Sequence, residues 1–478
     1  MTNRTNTKTT RLHMFAASAL AAMLTTAMLA STSSCGKQAN KTKSSKQAGP
    51  NKQQKSKNRM QPNKPGASTT AQQGKTPTAR HPNQGSATES SPANPKQGSF
   101  PAASNKELSA LTAGLNQFAL DLYGKMSKKP GNLFFSPWSI SVALAMTHLG
   151  ARGKTAAEME STLHLPKTHV DRTFGTMLKA LTTGLPKAVV LNMANRIFWQ
   201  VRYRLVARFV KDVARYYGST AQSVDYKKAA AAVATINKWV SKQTNGRIPN
   251  LLSTNSVTDD TRLVLVNAIY FKGIWKTKFK KRATNKQNFF TSPKTPVKVD
   301  MMHGTIRARY GHVKGYKILS LPYSGKRVAM VILLPDRKDG LAAMEKTLTG
   351  RRLATTLQLT RSHKVHVSLP KFHLSYKLDL KSVLMALGMK LPFDRSHADF
   401  SGVTKAREGL AISAVIHQAN CDVDEQGTVA AAATAVTHIR GRGAAPRVLV
   451  FNANHPFILM IRDQQTGAIL FMGRLAKP

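Results

Sequence analysis

The segment Asn132-Leu-Phe-Phe-Ser136-Pro-Trp-Ser139-Ile-Ser-Val-Ala-Leu-Ala-Met146, running on to Gly150-Ala-Arg-Gly153, decides the fold. Ser136-Pro137 puts a capping hydroxyl and a first-turn proline at a helix start, which favours the helix by two routes. The residues that follow are apolar on almost every face, so this helix belongs at the centre of the molecule. Upstream, Leu108, Leu111, Leu115, Phe118 and Leu122 recur at three- and four-residue intervals, one apolar helix face with Ser104 and Asn105 as candidate caps. Downstream lie runs rich in Val, Ile and aromatics that read as strands: Arg262 to Phe271, Val328 to Leu334, Lys364 to Leu369, Arg447 to Phe451 and Phe457 to Ile461. Helical patterns dominate before residue 250 and strand patterns after it, a segregation that argues for α+β rather than alternating α/β.

Several other segments fall into line with this one. Ala194-Asn195-Arg196-Ile197-Phe198 follows it in the chain, and further on stands Leu265-Val-Asn267-Ala-Ile-Tyr270-Phe-Lys-Gly-Ile-Trp275. Between them stand Ile236-Asn-Lys-Trp239-Val240 and Thr244-Asn-Gly-Arg-Ile248. Phe451, His455-Pro456-Phe457 and Leu470-Phe-Met-Gly473 close the chain. In this order, across residues 105–478, the segments resemble the serpin family, with the Ser136 helix similar to its buried second helix. The resemblance implies helices packed around a large five-stranded main sheet with two smaller sheets, and an exposed reactive loop. It also implies an inhibitor of serine proteases, with cysteine proteases as a second target class, rather than an enzyme, and a monomer with no cofactor.

The segment Glu425-Gln-Gly-Thr428-Val-Ala-Ala-Ala-Ala433-Thr434-Ala-Val-Thr437-His-Ile-Arg440-Gly-Arg442-Gly443 carries the chemistry. From Thr428 to Thr437 it holds no proline and no charge. A segment that leaves solvent to become the middle strand of a sheet needs both absences, because proline breaks the ladder and a buried unpaired charge is costly. Strand alternation puts Thr428, Ala430, Ala432, Thr434 and Val436 on one face, and Gly427 supplies backbone freedom at the turning point. Intrinsic propensity alone favours an Ala-rich helix. The family resemblance instead implies a hinge, Glu425, Gly427, Thr428, Ala430, Ala431, Ala432 and Thr434, that inserts into the main sheet once a protease has acylated itself on the loop. Val429 and Gln426 depart from the family's usual acidic residues there. Counting from Glu425 puts the scissile residue at Gly441, while counting back from Phe451 puts it at Arg442, or at Arg440 in a loop one residue shorter; Gly443 ends the candidate stretch. The two arginines point to a trypsin-like target, whose specificity pocket is acidic.

Ser136, Ser139, Asn267 and His417 match the family's shutter, the place where the main sheet parts to admit the loop. An imidazole can bridge hydroxyl and amide groups there. Ser and His also suggest a hydrolase, but no nucleophile elbow accompanies them. Cys421, on the strand leading into the hinge, reads as a small buried hydrophobe.

The chain has 478 residues and a formal net charge of +50, from 72 Lys+Arg against 22 Asp+Glu. Such a balance attracts polyanions and says nothing of fold. Arg4, Lys8 and Arg11 before the apolar run Met14 to Ala30, with small residues after it, form an export signal over residues 1–35. Cys35 resembles a bacterial lipoprotein attachment site, with Thr32 where that motif has Leu. Ordinary cleavage, or an uncleaved anchor, beside an incidental cysteine remains the alternative. Residues 36–104 hold 12 basic residues, Glu89 as their one acid and Phe100 as their one aromatic, the composition of a disordered linker that could also tether the domain to a membrane or an anionic cell surface. The expected location is extracellular or in the cell envelope. Within the domain, Arg204, Arg208, Lys211 and Arg215 are spaced as one helix face, and Lys278, Lys280, Lys281 and Arg282 form a second cluster. Both are candidate polyanion sites, with an ordinary solvated basic face as the alternative. Were inhibition lost, the chain would be a non-inhibitory serpin that binds polyanions or surfaces.

Overall fold

The computed structural model describes residues 97–406, 408–428 and 448–478. The chain runs α1 (Asn105–Met126), β1 (Leu133–Phe135), α2 (Pro137–His148), α3 (Gly153–Leu163), α4 (Val170–Thr183), β2 (Val189–Gln200), α5 (Ala207–Tyr217), β3 (Gln222–Val224), α6 (Ala229–Gln243) and β4 (Leu263–Ile274). It continues with β5 (Thr284–Ser292), β6 (Thr295–Val313), β7 (Tyr316–Pro322), β8 (Val328–Pro335), α7 (Leu341–Thr347), α8 (Gly350–Gln358), β9 (Arg361–Pro370) and β10 (Phe372–Asp379). It closes with α9 (Lys381–Ala386), β11 (Ala414–Val423), β12 (Gly427–Thr428), β13 (Leu449–Asn452), β14 (Phe457–Asp463) and β15 (Ile469–Leu475).

Local chemistry explains the helix starts. Ser104 caps α1 in a reciprocal box with Glu107, while Asn105 is the first residue inside the helix. Ser136 caps α2 by accepting from the Ser139 amide, with Pro137 in the first turn. Every residue of α2 from Pro137 to Thr147 is buried, as its unbroken apolar surface requires.

Two sheets organise the molecule. The six-stranded sheet has the order β10-β11-β12-β4-β2-β3. Five of these are the expected main sheet, and the sixth, β12, is two residues of the hinge lying between β11 and β4. The expected two smaller sheets are continuous with each other in a nine-stranded array. The 19-residue β6 joins them: β5 and then β7 pair along successive parts of it, and β9 pairs with residues 301–310. One face of the six-stranded sheet packs against α6, where Val233, Ile236 and Val240 meet Phe198, Val264, Val266 and Ile416. The main core, including α2 and the alternate strand residues Leu265, Ile269 and Val415, covers the other. Burial on both faces explains why β4 reads as a continuous apolar run rather than an alternation.

Candidate functional site: the hinge and the seam beneath it

β4 and β11 run parallel, with Asn267 directly opposite His417 across the seam. The imidazole is fully buried. Its Nε2 accepts from the Ser136 amide at 3.1 Å, so the proton resides on Nδ1, which donates to Asn267 Oδ1. Burial without a compensating charge drives its pKa down to about 3, so the ring is neutral at neutral pH. Asn267 Nδ2 reaches Ser139 O at 2.7 Å, Ser139 Oγ at 2.5 Å and Asn195 Oδ1. Ser139 Oγ donates to Asn195 Oδ1 at 3.1 Å, and Ser136 Oγ donates to Leu470 O at 2.6 Å. The four sequence-predicted shutter residues thus form one network, which also takes in Asn195 on β2 and reaches β15. Asn195 enters the sequence reading only as part of the segment 194–198; its position opposite Asn267 in the β2–β4 ladder is a pairing that sequence spacing does not reveal. The Ser136 hydroxyl donates to Leu470 O rather than to His417, and among the described residues no carboxylate is bonded to the ring, so these bonds link strands and lack the arrangement that activates a nucleophile.

Above the seam the chain turns at Asp424–Gln426 and re-enters the sheet. Gly427 pairs with Ile274, and Thr428 pairs with both Gly273 and Val423. A Cβ on Gly427 would lie 2.0 Å from Gly273 O and 2.8 Å from Ile274 Cα, and φ is +155°. Only glycine fits so close to the β4 backbone. Thr428 is fully buried, its hydroxyl 2.8 Å from Tyr323 Oη. Tyr323 in turn stacks on Trp275, with ring centroids 4.5 Å apart. Trp275 Nε1 donates to Asp424 O at 3.0 Å, and the Asp424 carboxylate accepts from the Gln426 and Gly427 amides.

Glu425 is clamped from outside the hinge. Its carboxylate accepts from Thr284 Oγ1 at 2.8 Å and lies 3.1 Å from Lys371 Nζ. Burial acts to raise this carboxyl, but its own backbone amide, Thr284 and Lys371 together hold it below the usual carboxylate range. Thr284, Lys371 and Tyr323 carry no signal in the sequence pattern, since each is an ordinary strand or loop residue until the fold brings it to the hinge, while Trp275 enters the sequence reading only as the end of the segment 265–275. Cys421 is buried and in no disulfide, and burial pushes its thiol well up, away from the reactive thiolate. Ala430, Ala431, Ala432 and Thr434 of the hinge, the reactive-bond candidates Arg440, Gly441, Arg442 and Gly443, and Cys35 with the export segment lie outside the described residues.

The basic clusters come out differently from their spacing. α5 begins at Ala207 with Val206 as its cap, so Arg204 is not on the helix face, and its neighbour Leu205 forms a bridge to Thr404 instead. Arg208 and Lys211 are exposed, with Arg208 3.5 Å from Asp212. Arg215 serves the fold: its Nε donates to Ser99 O at 2.9 Å, and its carbonyl accepts from the Gly98 amide. Phe100 packs on Tyr216 beside it, so residues 97–100, read as linker, lie against α5. Lys280, Lys281 and Arg282 are exposed and Lys278 is half-buried, in the connection whose Phe279 amide donates to Glu425 O.

The main sheet thus pairs β4 directly with β11 at Asn267 and His417, with the two-residue β12 lying between the same strands at their other end. The sequence matches the family described as "Serpin (serine protease inhibitor)" over residues 113–478. The chain belongs to the serpin family. Human leukocyte elastase inhibitor is 39% identical over 384 residues, covering 77% of this chain and 99% of that one. Among solved structures, maspin superposes with a TM-score of 0.73 at 30% identity, covering 78% of this chain and all of that one. Human thyroxine-binding globulin, solved in complex with its hormone, does so with a TM-score of 0.71 at 29% identity, covering 79% of this chain and all of that one.

Proposed function

We propose that the chain is an exported suicide inhibitor of serine proteases, with trypsin-like enzymes as its targets. The observation that carries this reading is the two-residue strand Gly427–Thr428, already hydrogen-bonded into the sheet between β4 and β11. Its register is antiparallel to both neighbours. Each further residue of the loop therefore faces one residue earlier on β4 and one earlier on β11. Thr434 would come between Asn267 and His417, its hydroxyl taking over the bonds that the two side chains now make to each other. The uncharged segment Thr428–Thr437 can make that passage without stranding a charge.

In the reaction the protease serine oxygen adds to the carbonyl carbon of the scissile residue, Arg440, Gly441 or Arg442. The peptide nitrogen leaves as an amine with a proton delivered by the protease, and an ester joins the two proteins. Water would normally cleave that ester. Insertion of the loop carries the bound enzyme away and distorts its site before water completes the turnover. The native fold is then a long-lived state held above a deeper minimum. Mixing the chain with trypsin should give an adduct of summed mass that resists SDS, and the mass of the released C-terminal peptide names the bond. No adduct with trypsin-, subtilisin- or papain-like enzymes would sink the reading.

A binding role on polyanions has its own support in the exposed Arg208, Lys211, Lys280, Lys281 and Arg282. Retention on an immobilised polyanion should then fall steeply with salt, and salt-insensitive or absent binding rejects it.

A further inference from the structure

The register of the hinge leads to a cavity at the far end of the seam. A cleft of about 320 Å³ lies at the base of the six-stranded sheet. One wall is Thr258 and Asp260–Arg262, just before β4, and the other is Ala411–Ala414, at the start of β11. Gly427 faces Ile274, and Thr428 faces Gly273 and Val423. Carried down one residue at a time, that register sets Ile439 against Arg262 on one wall and Ile412 on the other. Arg440 then falls against Thr261 and Ala411. The two walls of the cleft are therefore the rungs that the last inserted residues would occupy. They are closed at present by two bonds, from the Ser413 amide to Leu263 O at 2.8 Å and from the Arg262 amide to Ser413 Oγ at 3.0 Å.

The charges of the cleft are unusual for a strand end. Arg262 is buried, its side chain 7% exposed; its Nη1 donates to Asp259 O at 2.6 Å and Thr261 O at 3.2 Å, while its Nε has no hydrogen-bond partner among the described residues. Its nearest carboxylate is Asp260, 3.7 Å away and 87% exposed. Arg395 reaches the same carboxylate at 3.7 Å and Glu408 at 3.8 Å, both longer than a hydrogen bond. Lys381, also in the lining, lies over the Phe393 ring at 5.8 Å. Three cations thus converge on a cleft whose one lining acid is swung into solvent. A buried guanidinium with spare donors favours an anion that can enter the cleft with it.

We propose that this cleft is the receptor for the new carboxylate that cleavage of the reactive loop creates. Hydrolysis of the scissile bond leaves a carboxylate on Arg440, Gly441 or Arg442 and an amine on the following residue. Whichever of the three bonds is cut, that register ends the inserted strand within one to three rungs of Arg262. The carboxylate takes the Arg262 and Arg395 donors that Asp260 engages only loosely, and the Lys381 ammonium of the same lining. This rests on the insertion reading above, and adds that the base of the sheet selects the cleaved, charged end of the strand.

The test uses two synthetic peptides of the sequence Val429–Gly441, one ending in a free carboxylate and one in an amide, annealed to the full chain. The free acid should bind tighter by about tenfold at low salt, the scale of a charge-assisted hydrogen bond. The amide should bind the Lys381→Gln/Arg395→Gln variant as it binds the native chain, while the acid loses most of its advantage. Arg262→Gln should give the same result, and the double variant carries the test if that buried change unfolds the protein. Equal binding of acid and amide to the native chain overturns the receptor, as does an advantage that survives in the variants. If neither peptide anneals, the insertion reading itself fails, and the receptor with it.

Discussion

His417 carries a cost that depends on pH. In the unfolded chain its ring takes up a proton below about pH 6.5, whereas in the fold it stays neutral down to about pH 3. The unfolded state therefore binds more protons across that window, and the native fold loses stability as pH falls through it. The loss from this one group is roughly 2–3 kcal/mol between pH 6.5 and pH 4.5. Urea midpoints measured at both pH values should show it, and the fall should shrink in His417→Gln; an unchanged fall would assign it to other groups. Gly427 makes a different kind of prediction. Gly427→Ala drives a methyl into Gly273 O, so Gly427–Thr428 should leave the sheet, at a cost of about 1–3 kcal/mol. Faster amide exchange at Thr428 and Gly273 would report the departure, and native exchange rates would contradict it.

At the scale of elements, the proposed inhibition turns on the two-rung strand β12. Thr428 is fully buried against Tyr323, so Thr428→Arg would place a charge where no partner waits. On the insertion reading this variant is still cleaved by trypsin but forms less than about a tenth of the native SDS-resistant adduct, given the several kcal/mol such a charge costs. Full adduct formation would show that the hinge enters by another route. The elements themselves were legible to differing degrees. α2 and β4 announced themselves, because a capped helix and a strand buried on both faces leave strong local patterns. The grouping of Ser136, Ser139, Asn267 and His417 followed from family resemblance. Asn195, Thr284, Lys371 and Tyr323 did not, since each acquires its role only through long-range pairing. Arg204 was misplaced because a spacing of four, three and four says nothing of where Val206 ends the preceding extended chain. Charge spacing likewise could not reveal that Arg215 is taken up in holding Gly98 and Ser99.

For the whole molecule, insertion would add a central strand of ten or more residues to a sheet already buried on both faces. Nicking the loop with a protease that is not trapped should therefore raise the thermal midpoint by about 10 °C or more, and an unchanged midpoint would mean the cut loop stays outside. The two rungs already formed at Gly427 and Thr428 bear on timing. On the insertion reading, the acylated chain would be in a race between water reaching the ester and the seam unfastening. The start of that race is already run, because the turn at Gly427 is made and the first pairings exist before any protease arrives. What remains is to part the β4–β11 ladder at the Asn267–His417 pair. Changes at that pair should alter how many inhibitor molecules are spent for each protease captured, while leaving untouched the rate at which the two proteins first meet.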